Sequence, residues 1–249
     1  MNEQMWRDMD QMEEAPQKSG FARFSGMLLS NFWNFFRTNL ILLAGALPGT
    51  VLVIWGIWGR SLLLALAGGM VGGLMSGPLL CGLYGTILRA LRGEPGFWSL
   101  QYKRELKRDW KEALFPGGAT GLILSLWLFE AAALGAQGLI SPVALFALAE
   151  VLFFVLGIGS YVFPQIVMVS ASTPRLYSNS IRLFIGLLPR SLAAATVQTV
   201  YWVGFLLLLP RSVPMLMATG VWLPCLLSTV ILLRSMERHL GVSREEETA

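Results

Sequence analysis

Six apolar stretches, each about as long as a bilayer is thick, constrain the fold of this chain more than any other feature. A helix needs about 20 mostly apolar residues to cross roughly 30 Å of hydrocarbon. The chain is 55% hydrophobic and only 14% charged, with a mean hydropathy of +0.60, well away from the composition of a soluble domain. The sequence therefore predicts an all-α integral membrane protein with six transmembrane helices. We place them at residues 39–58, 62–83, 116–137, 142–169, 192–209 and 213–233.

The distribution of basic residues predicts the orientation of these helices, because Lys and Arg concentrate in the cytoplasmic loops of membrane proteins. With six spans, Arg60 and Arg211 lie on one side of the membrane and the other 17 of the 19 Lys and Arg residues lie on the opposite side. An odd number of spans would misplace the tail or the early loops. We therefore predict two cytoplasmic termini in a bacterial plasma membrane. No nucleic-acid partner is expected, because no separate soluble domain carries the basic charge.

The predicted domain boundaries follow the spans. Residues 1–20 are polar and are expected to form a disordered cytoplasmic tail. They show no sign of a signal peptide, so the first span should direct insertion. A six-span membrane domain is predicted at 21–238, followed by a second cytoplasmic tail at 239–249. Pro48-Gly49, midway in the first span, is expected to kink or break that helix.

Three amphipathic segments are predicted to form helices at the cytoplasmic surface, at residues 21–37, 97–113 and 175–188. The first is rich in Phe at helical spacing and should lie in the membrane interface. The alternative for this segment is one long tilted helix that continues into the first span.

The segment at 97–113 carries the densest charge in the chain. Its apolar residues recur every four positions, which places them along one slowly rotating face of a helix. Basic residues occupy the other faces, so the helix should lie on the membrane surface or bind a partner there. The alternative is a solvated loop that only fixes topology. The predicted partner- or lipid-binding residues are Trp98, Tyr102, Lys103, Arg104, Leu106, Lys107, Arg108, Trp110 and Lys111.

Gly69, Gly73 and Gly77 recur at four-residue intervals in the second span. Small residues at this spacing let two helix backbones approach closely. A contact between helices of the same chain is the usual reason for such a stripe. The alternative is a homodimer packed through this face.

Glu130 and Glu150 are the only acidic residues at predicted membrane depth. They lie nine residues before and eleven residues after Leu139, the centre of the turn between their spans. At about 1.5 Å per residue, both are expected roughly 14–17 Å from that turn. Two carboxylates in one low-dielectric site would raise the pKa of one of them, which suits proton or cation coupling. Alternatively, Glu130 is hydrated at the outer surface, and either residue pairs with Arg60 or Arg211.

Two glutamines inside predicted spans are further polar candidates. Gln165 and Gln198 could line a polar path through the helices. A lone Gln in a helix bundle more often makes a single interhelical hydrogen bond, and the sequence leaves both interpretations open.

Enzyme signatures are missing from the sequence. The single histidine, His239, lies beyond the last span, so no His pair can hold a metal and no Ser–His arrangement is available within the membrane. HExxH, GxSxG and GxxxxGK[ST] motifs do not occur. Cys81 and Cys225 fall within spans, where buried Cys acts as a small hydrophobe. We therefore predict no enzymatic activity, no metal and no cofactor.

Four segments in the first half of the chain carry a family resemblance: FARFSGMLLSNFW, NLILLAGALPG, GPLLCGLYGTILRALRGEPGFW and KRDWKEAL. Their order resembles the YesL family of bacterial membrane proteins, a domain of unknown function. In that family a first span ends in Leu-Pro, and a Gly-Pro-containing second span leads through a basic segment to a Lys/Arg-rich helix with a Trp. The matching positions are Asn39, Leu40, Leu47, Pro48, Gly77, Pro78, Gly82, Leu83, Trp98 and Trp110.

The resemblance implies a link to sugar import, because family members are generally found near genes for carbohydrate uptake and polysaccharide breakdown. The preferred hypothesis is a non-enzymatic accessory or regulatory subunit that contacts carbohydrate transporter subunits through its cytoplasmic helices. The alternative is a small proton- or cation-coupled secondary transporter or channel that uses Glu130 and Glu150.

Overall fold

The computed structural model describes residues 20–169 and 171–241, and this part of the chain is all-helical, as the sequence predicts. Most of the predicted N-terminal tail and residues 242–249 lie outside the described residues. The described helices are α1 (Gly20–Trp58), α2 (Leu62–Arg92), α3 (Trp98–Ala136), α4 (Pro142–Met168), α5 (Thr173–Gly186), α6 (Leu188–Leu207), α7 (Val213–Ala218) and α8 (Trp222–Leu240).

The chain divides into two compact units, Met1–Trp33 and Asn34–Ala249. The described part of the first unit is the N-terminal part of α1. Within it, Nδ2 of Asn31 donates a hydrogen bond of 3.1 Å to the carbonyl of Met27. All other elements belong to the second unit.

Four helices, α1 to α4, are long and apolar enough to cross a membrane. The pair α5 and α6 passes the same test together and would make five, with a bend of 104° between the two helices. The prediction of an all-α chain with several membrane-length helices is therefore confirmed.

The predicted sixth span, 213–233, is not one continuous helix. α7 has only six residues, the chain then turns, and α8 continues to Leu240 with Arg234, Glu237 and Arg238 in its second half. The backbone groups freed by the break are hydrogen bonded to Asn39 of α1, which explains why an apolar segment can be interrupted here. α8 includes His239, and the predicted tail boundary at 239 stays a prediction.

Two of the three predicted surface helices are not separate elements. Residues 21–37 belong to α1, which runs into the first predicted span without interruption, as the alternative had it. Residues 97–113 form the first part of α3, which continues through Pro116. α1 also continues through Pro48-Gly49, so the helix is not broken there, and the alternative, a kink, stays a prediction. Interior prolines are tolerated in long apolar helices whose neighbours pack closely around them.

The third predicted surface helix is a separate element. It is α5, and its bounds differ from the predicted 175–188 by two residues at each end. Its buried residues include Leu183 and Phe184, which form a hydrophobic core with Tyr161 of α4 and Leu232 of α8.

The glycine stripe of α2 packs against α3. A Cβ added at Gly73 would overlap the carbonyl oxygen of Gly117, and one added at Gly77 would lie 2.5 Å from the carbonyl oxygen of Ala113. A Cβ at Gly69 would likewise lie 2.5 Å from the carbonyl oxygen of Gly121. The three glycines therefore sit at a close backbone approach between two helices of the same chain.

A second glycine pair, Gly68 and Gly72, faces α1. A Cβ at Gly68 would lie 2.8 Å from the carbonyl oxygen of Gly49, and one at Gly72 would lie 3.3 Å from its Cα. Because glycine faces both neighbours, α2 packs backbone to backbone between α1 and α3.

Candidate functional site

The first half of α3 is too highly charged to lie in the hydrocarbon of a membrane. At about 1.5 Å per residue, this 39-residue helix is roughly 58 Å long, nearly twice the thickness of the apolar layer. Its charged residues from Lys103 to Glu112 precede the apolar residues that follow Pro116. Only the second half of α3 is therefore apolar enough to lie at membrane depth.

The inner side of this charged half is anchored on α1 and α2. Nε1 of Trp98 donates a hydrogen bond of 3.0 Å to Oγ1 of Thr38. The Trp98 ring stacks on Tyr102, with centroids 5.4 Å apart, and the Tyr102 ring covers Gly82, where a Cβ would overlap it. These two predicted binding residues therefore hold α3 in place, and Tyr102 is buried.

Ion pairs connect the charged half of α3 to α2, and the end of α2 to α8. Arg89 of α2 pairs with Glu105 of α3, and both side chains are largely buried. Arg92 of α2 pairs with Glu237 of α8 at 2.9 Å. These contacts join the charged half of α3 and the end of α8 to α2.

Arg108, another predicted binding residue, is also used within the chain. Its guanidinium donates to both carboxylate oxygens of the buried Asp109, at 2.5 and 2.8 Å. Nη2 of Arg108 also donates to the carbonyl of Val167, near the end of α4, at 3.0 Å. Arg108 therefore supplies hydrogen bonds to the buried carboxylate of Asp109 and to a backbone carbonyl at the end of α4.

Glu105, in the charged half of α3, has a raised pKa. Burial raises the pKa of Glu105 to about 7, and Arg89 opposes that effect. Its Oε2 atom is buried and has no hydrogen-bond partner among the described residues. Burial, and after it the charge of Glu105, raises the pKa of Tyr102 to about 12.

The outer side of this half of α3 forms the basic face, defined here as Lys103, Arg104, Lys107 and Lys111. All four side chains are exposed. Trp110 lies beside them, 45% exposed, with Nζ of Lys111 at 5.7 Å from its ring centroid. Within residues 20–169 and 171–241, none of the four cations forms an ion pair. Leu106, by contrast, is half-buried.

Glu130 and Glu150 are both exposed on the outer surfaces of α3 and α4. The structure does not bring them into an enclosed site, and neither lines a cavity described below. No ion pair joins them to Arg60 or Arg211 in the described part of the chain. A coupling role for these two residues stays a prediction.

A cavity of about 350 Å³ lies between α1, α2, α3, α4, α6 and α8. Its walls are mainly Leu, Val and aromatic side chains. Gln198 provides a polar end, where its Nε2 donates to Oγ of Ser228 at 3.1 Å and to Oγ of Ser160 at 3.4 Å. Gln198 thus lines a mainly apolar cavity and hydrogen bonds to two other helices, whereas Gln165 makes one interhelical hydrogen bond, to Ser180 at 2.8 Å.

A second cavity, of about 320 Å³, adjoins the first. The two share lining residues that include Ala46, Ser76 and Thr120. The second cavity is lined by several glycines of α1, α2 and α3, at the close approach of these helices.

Neither cavity is predicted from the sequence, and neither is the Arg89–Glu105 pair or the role of Asn39. In the sequence, the number of glycines in three neighbouring spans was the feature that could have pointed to the cavities. Among the described residues, no group of His, Cys, Asp and Glu is arranged to hold a metal ion.

Together these features define the class of the protein. Its described residues form an all-helical structure with four or five helices of membrane-spanning length, a charged helical extension anchored on its neighbours, and an apolar cavity between the helices. The chain matches no family model, and no similar curated protein or solved structure was found. The YesL resemblance therefore stays a prediction.

Proposed function

We propose that this chain is a non-enzymatic accessory or regulatory membrane subunit that binds its partner through the basic face of α3. One observation carries this proposal. The inner side of the charged half of α3 is occupied by the chain itself, whereas four cations on the outer side are exposed and form no ion pair within the described residues. An unpaired row of cations beside an exposed Trp suits an acidic protein surface.

We propose a topology of six spans with both termini in the cytoplasm of a bacterium. In this topology the turns that contain Arg60 and Arg211 face outward, and the basic face lies on the cytoplasmic side. The sixth span is formed by α7 and α8 together.

The partner that we propose is a carbohydrate transporter subunit with an acidic cytoplasmic surface. The acidic character follows from the charge of the basic face. The link to carbohydrate uptake rests on the YesL resemblance alone. A homodimer is a further possibility only for surfaces other than the Gly69 stripe, since that stripe is buried against α3.

The test is purification of the full chain from its native membrane in a mild detergent, with the ratio of partner to chain as the readout. We expect the triple variant K103E/K107E/K111E to recover at least about tenfold less transporter subunit, because three attractive contacts become repulsive. The matched control is R175E/R182E/R190E, which makes the same charge change at three other exposed positions. Equal recovery with both triple variants and the wild type would refute the proposal.

A further inference from the structure

The interior cavity has the properties of a binding site for a hydrocarbon chain. Its volume of about 350 Å³ lies within the range of roughly 300–1,000 Å³ that is typical of small-molecule sites. No Asp, Glu, Lys, Arg or His lines it. An ionic ligand or a sugar would therefore lose hydration there without gaining enough polar partners.

One unused hydrogen-bond acceptor lies at the polar end of this cavity. The amide nitrogen of Gln198 is bonded to Ser160 and Ser228. Its Oε1 atom accepts no hydrogen bond from the described residues, although Gln198 is only 3% exposed. The Oε1 atom is not one of the fully buried unpartnered atoms of the described residues, so an occupant of the cavity can reach it. A ligand hydroxyl that donates to Oε1 would supply the missing partner.

The adjoining second cavity favours an elongated occupant. Because the two cavities share lining residues, they lie side by side between the Gln198 end and the glycines Gly68 and Gly121. Apolar cavities of this kind do not hold water stably. A bilayer would offer hydrocarbon chains at the same depth.

We propose that the first cavity, together with the adjoining second one, binds the hydrocarbon chain of a neutral membrane lipid, whose hydroxyl group donates a hydrogen bond to Oε1 of Gln198. This site is separate from the basic face and shares only the membrane location with the proposed function. A loss of lipid binding and a loss of partner binding can therefore be measured independently.

The cavity can be filled by one substitution that has a close control. Gly159 lines the cavity, and a Cβ built there meets no atom within 4 Å. Glycine-to-phenylalanine substitution at this position, G159F, therefore places a ring in the space that the lipid chain would occupy. Gly204 on α6 also has no atom within 4 Å of a Cβ and lines neither cavity, so G204F is the control.

The probe is a long-chain primary alcohol that carries a diazirine near its hydroxyl group, added to phosphatidylcholine vesicles that contain the full chain. After illumination, we expect labelled peptides from α4 around Ser160 and from α6 around Gln198. G159F should lower this labelling about tenfold, and G204F should not. Labelling confined to exposed outer residues of the wild type would overturn the proposal, as would unchanged labelling in G159F.

A second variant tests the hydrogen bond. Q198L keeps a side chain of similar size but removes the acceptor. In the wild type, an unlabelled alcohol should compete with the probe more strongly than an alkane of the same chain length. In Q198L the two competitors should be equal. Equal competition in the wild type would refute the role assigned to Gln198, and the wild-type labelling pattern decides the site even if a variant fails to fold.

Discussion

The backbone N–H of Val221 donates a hydrogen bond of 2.9 Å to Oδ1 of Asn39, although the two residues are far apart in the chain. Nδ2 of the same side chain donates to the carbonyls of Leu216 and Met217, at 3.1 and 3.2 Å. Gly220, with a φ of 22°, lies so close that an added Cβ would be 2.6 Å from Nδ2 of Asn39. One buried amide therefore holds α1 against the break between α7 and α8.

We expect Asn39→Leu to lower the free energy of unfolding by about 3 kcal/mol, because it leaves buried backbone groups without partners. The measurement is thermal unfolding of the purified protein in detergent. The control is Asn179→Leu on α5, since Asn179 is half-buried and makes no hydrogen bond with the described residues. Equal stability of the two variants would contradict the structural role of Asn39.

The approach of α2 to α3 predicts that Gly73→Ala is destabilising. The added methyl group would overlap the carbonyl oxygen of Gly117, and overpacking of this kind typically costs about 1–3 kcal/mol. Gly204→Ala is the control, because that position is open and alanine favours a helix by about 1 kcal/mol over glycine. Unfolding in a denaturing detergent measures both, and a Gly73→Ala variant as stable as Gly204→Ala would show that the helices are farther apart.

The pKa of Glu105, raised by burial to about 7 from an ordinary value of 4.5, predicts a pH-dependent stability. The folded chain binds this proton more tightly than the unfolded chain does. The stabilisation is therefore complete below about pH 4.5 and is lost as the pH rises toward about 7. Unfolding of the wild type and Glu105→Gln across this interval measures the effect. The free energy of unfolding of the wild type should fall relative to that of the variant as the pH rises. If the two free energies changed in parallel with pH, the predicted role of Glu105 would be wrong.

The exposed positions of Glu130 and Glu150 predict that neither Glu130→Gln nor Glu150→Gln changes stability by more than about 0.5 kcal/mol. Neither variant should reduce recovery of the partner. Proton flux into liposomes that contain the purified chain tests the alternative function directly. Flux in the wild type that disappears in both variants would favour the transporter hypothesis over an accessory role.

Apolar length and spacing predict much of this fold from sequence. The long apolar runs correspond to α1 through α4, and the spacing of Gly69, Gly73 and Gly77 marks a close helix contact. Its partner stripe, Ala113 and Gly117 with Gly121, has the same four-residue spacing and could have been recognised.

The remaining features depend on contacts that periodicity does not encode. The break after α7 lies in an apolar segment, and its hydrogen-bond partner, Asn39, is distant in sequence. The amphipathic pattern at 97–113 identifies two sides of a helix. It does not reveal that Trp98, Tyr102 and Arg108 face the chain itself, because that depends on Thr38, Gly82 and Val167 on other helices.

Site-specific photo-crosslinking from the basic face tests the central claim most directly. A photoreactive residue at position 107 should crosslink to an acidic transporter subunit in native membranes, and the same residue at position 182 on α5 should not. Adding K103E and K111E should abolish the crosslink from position 107, because the attraction that positions the partner is reversed. A crosslink that persists with both substitutions, or that forms equally from both positions, would contradict partner binding through the basic face.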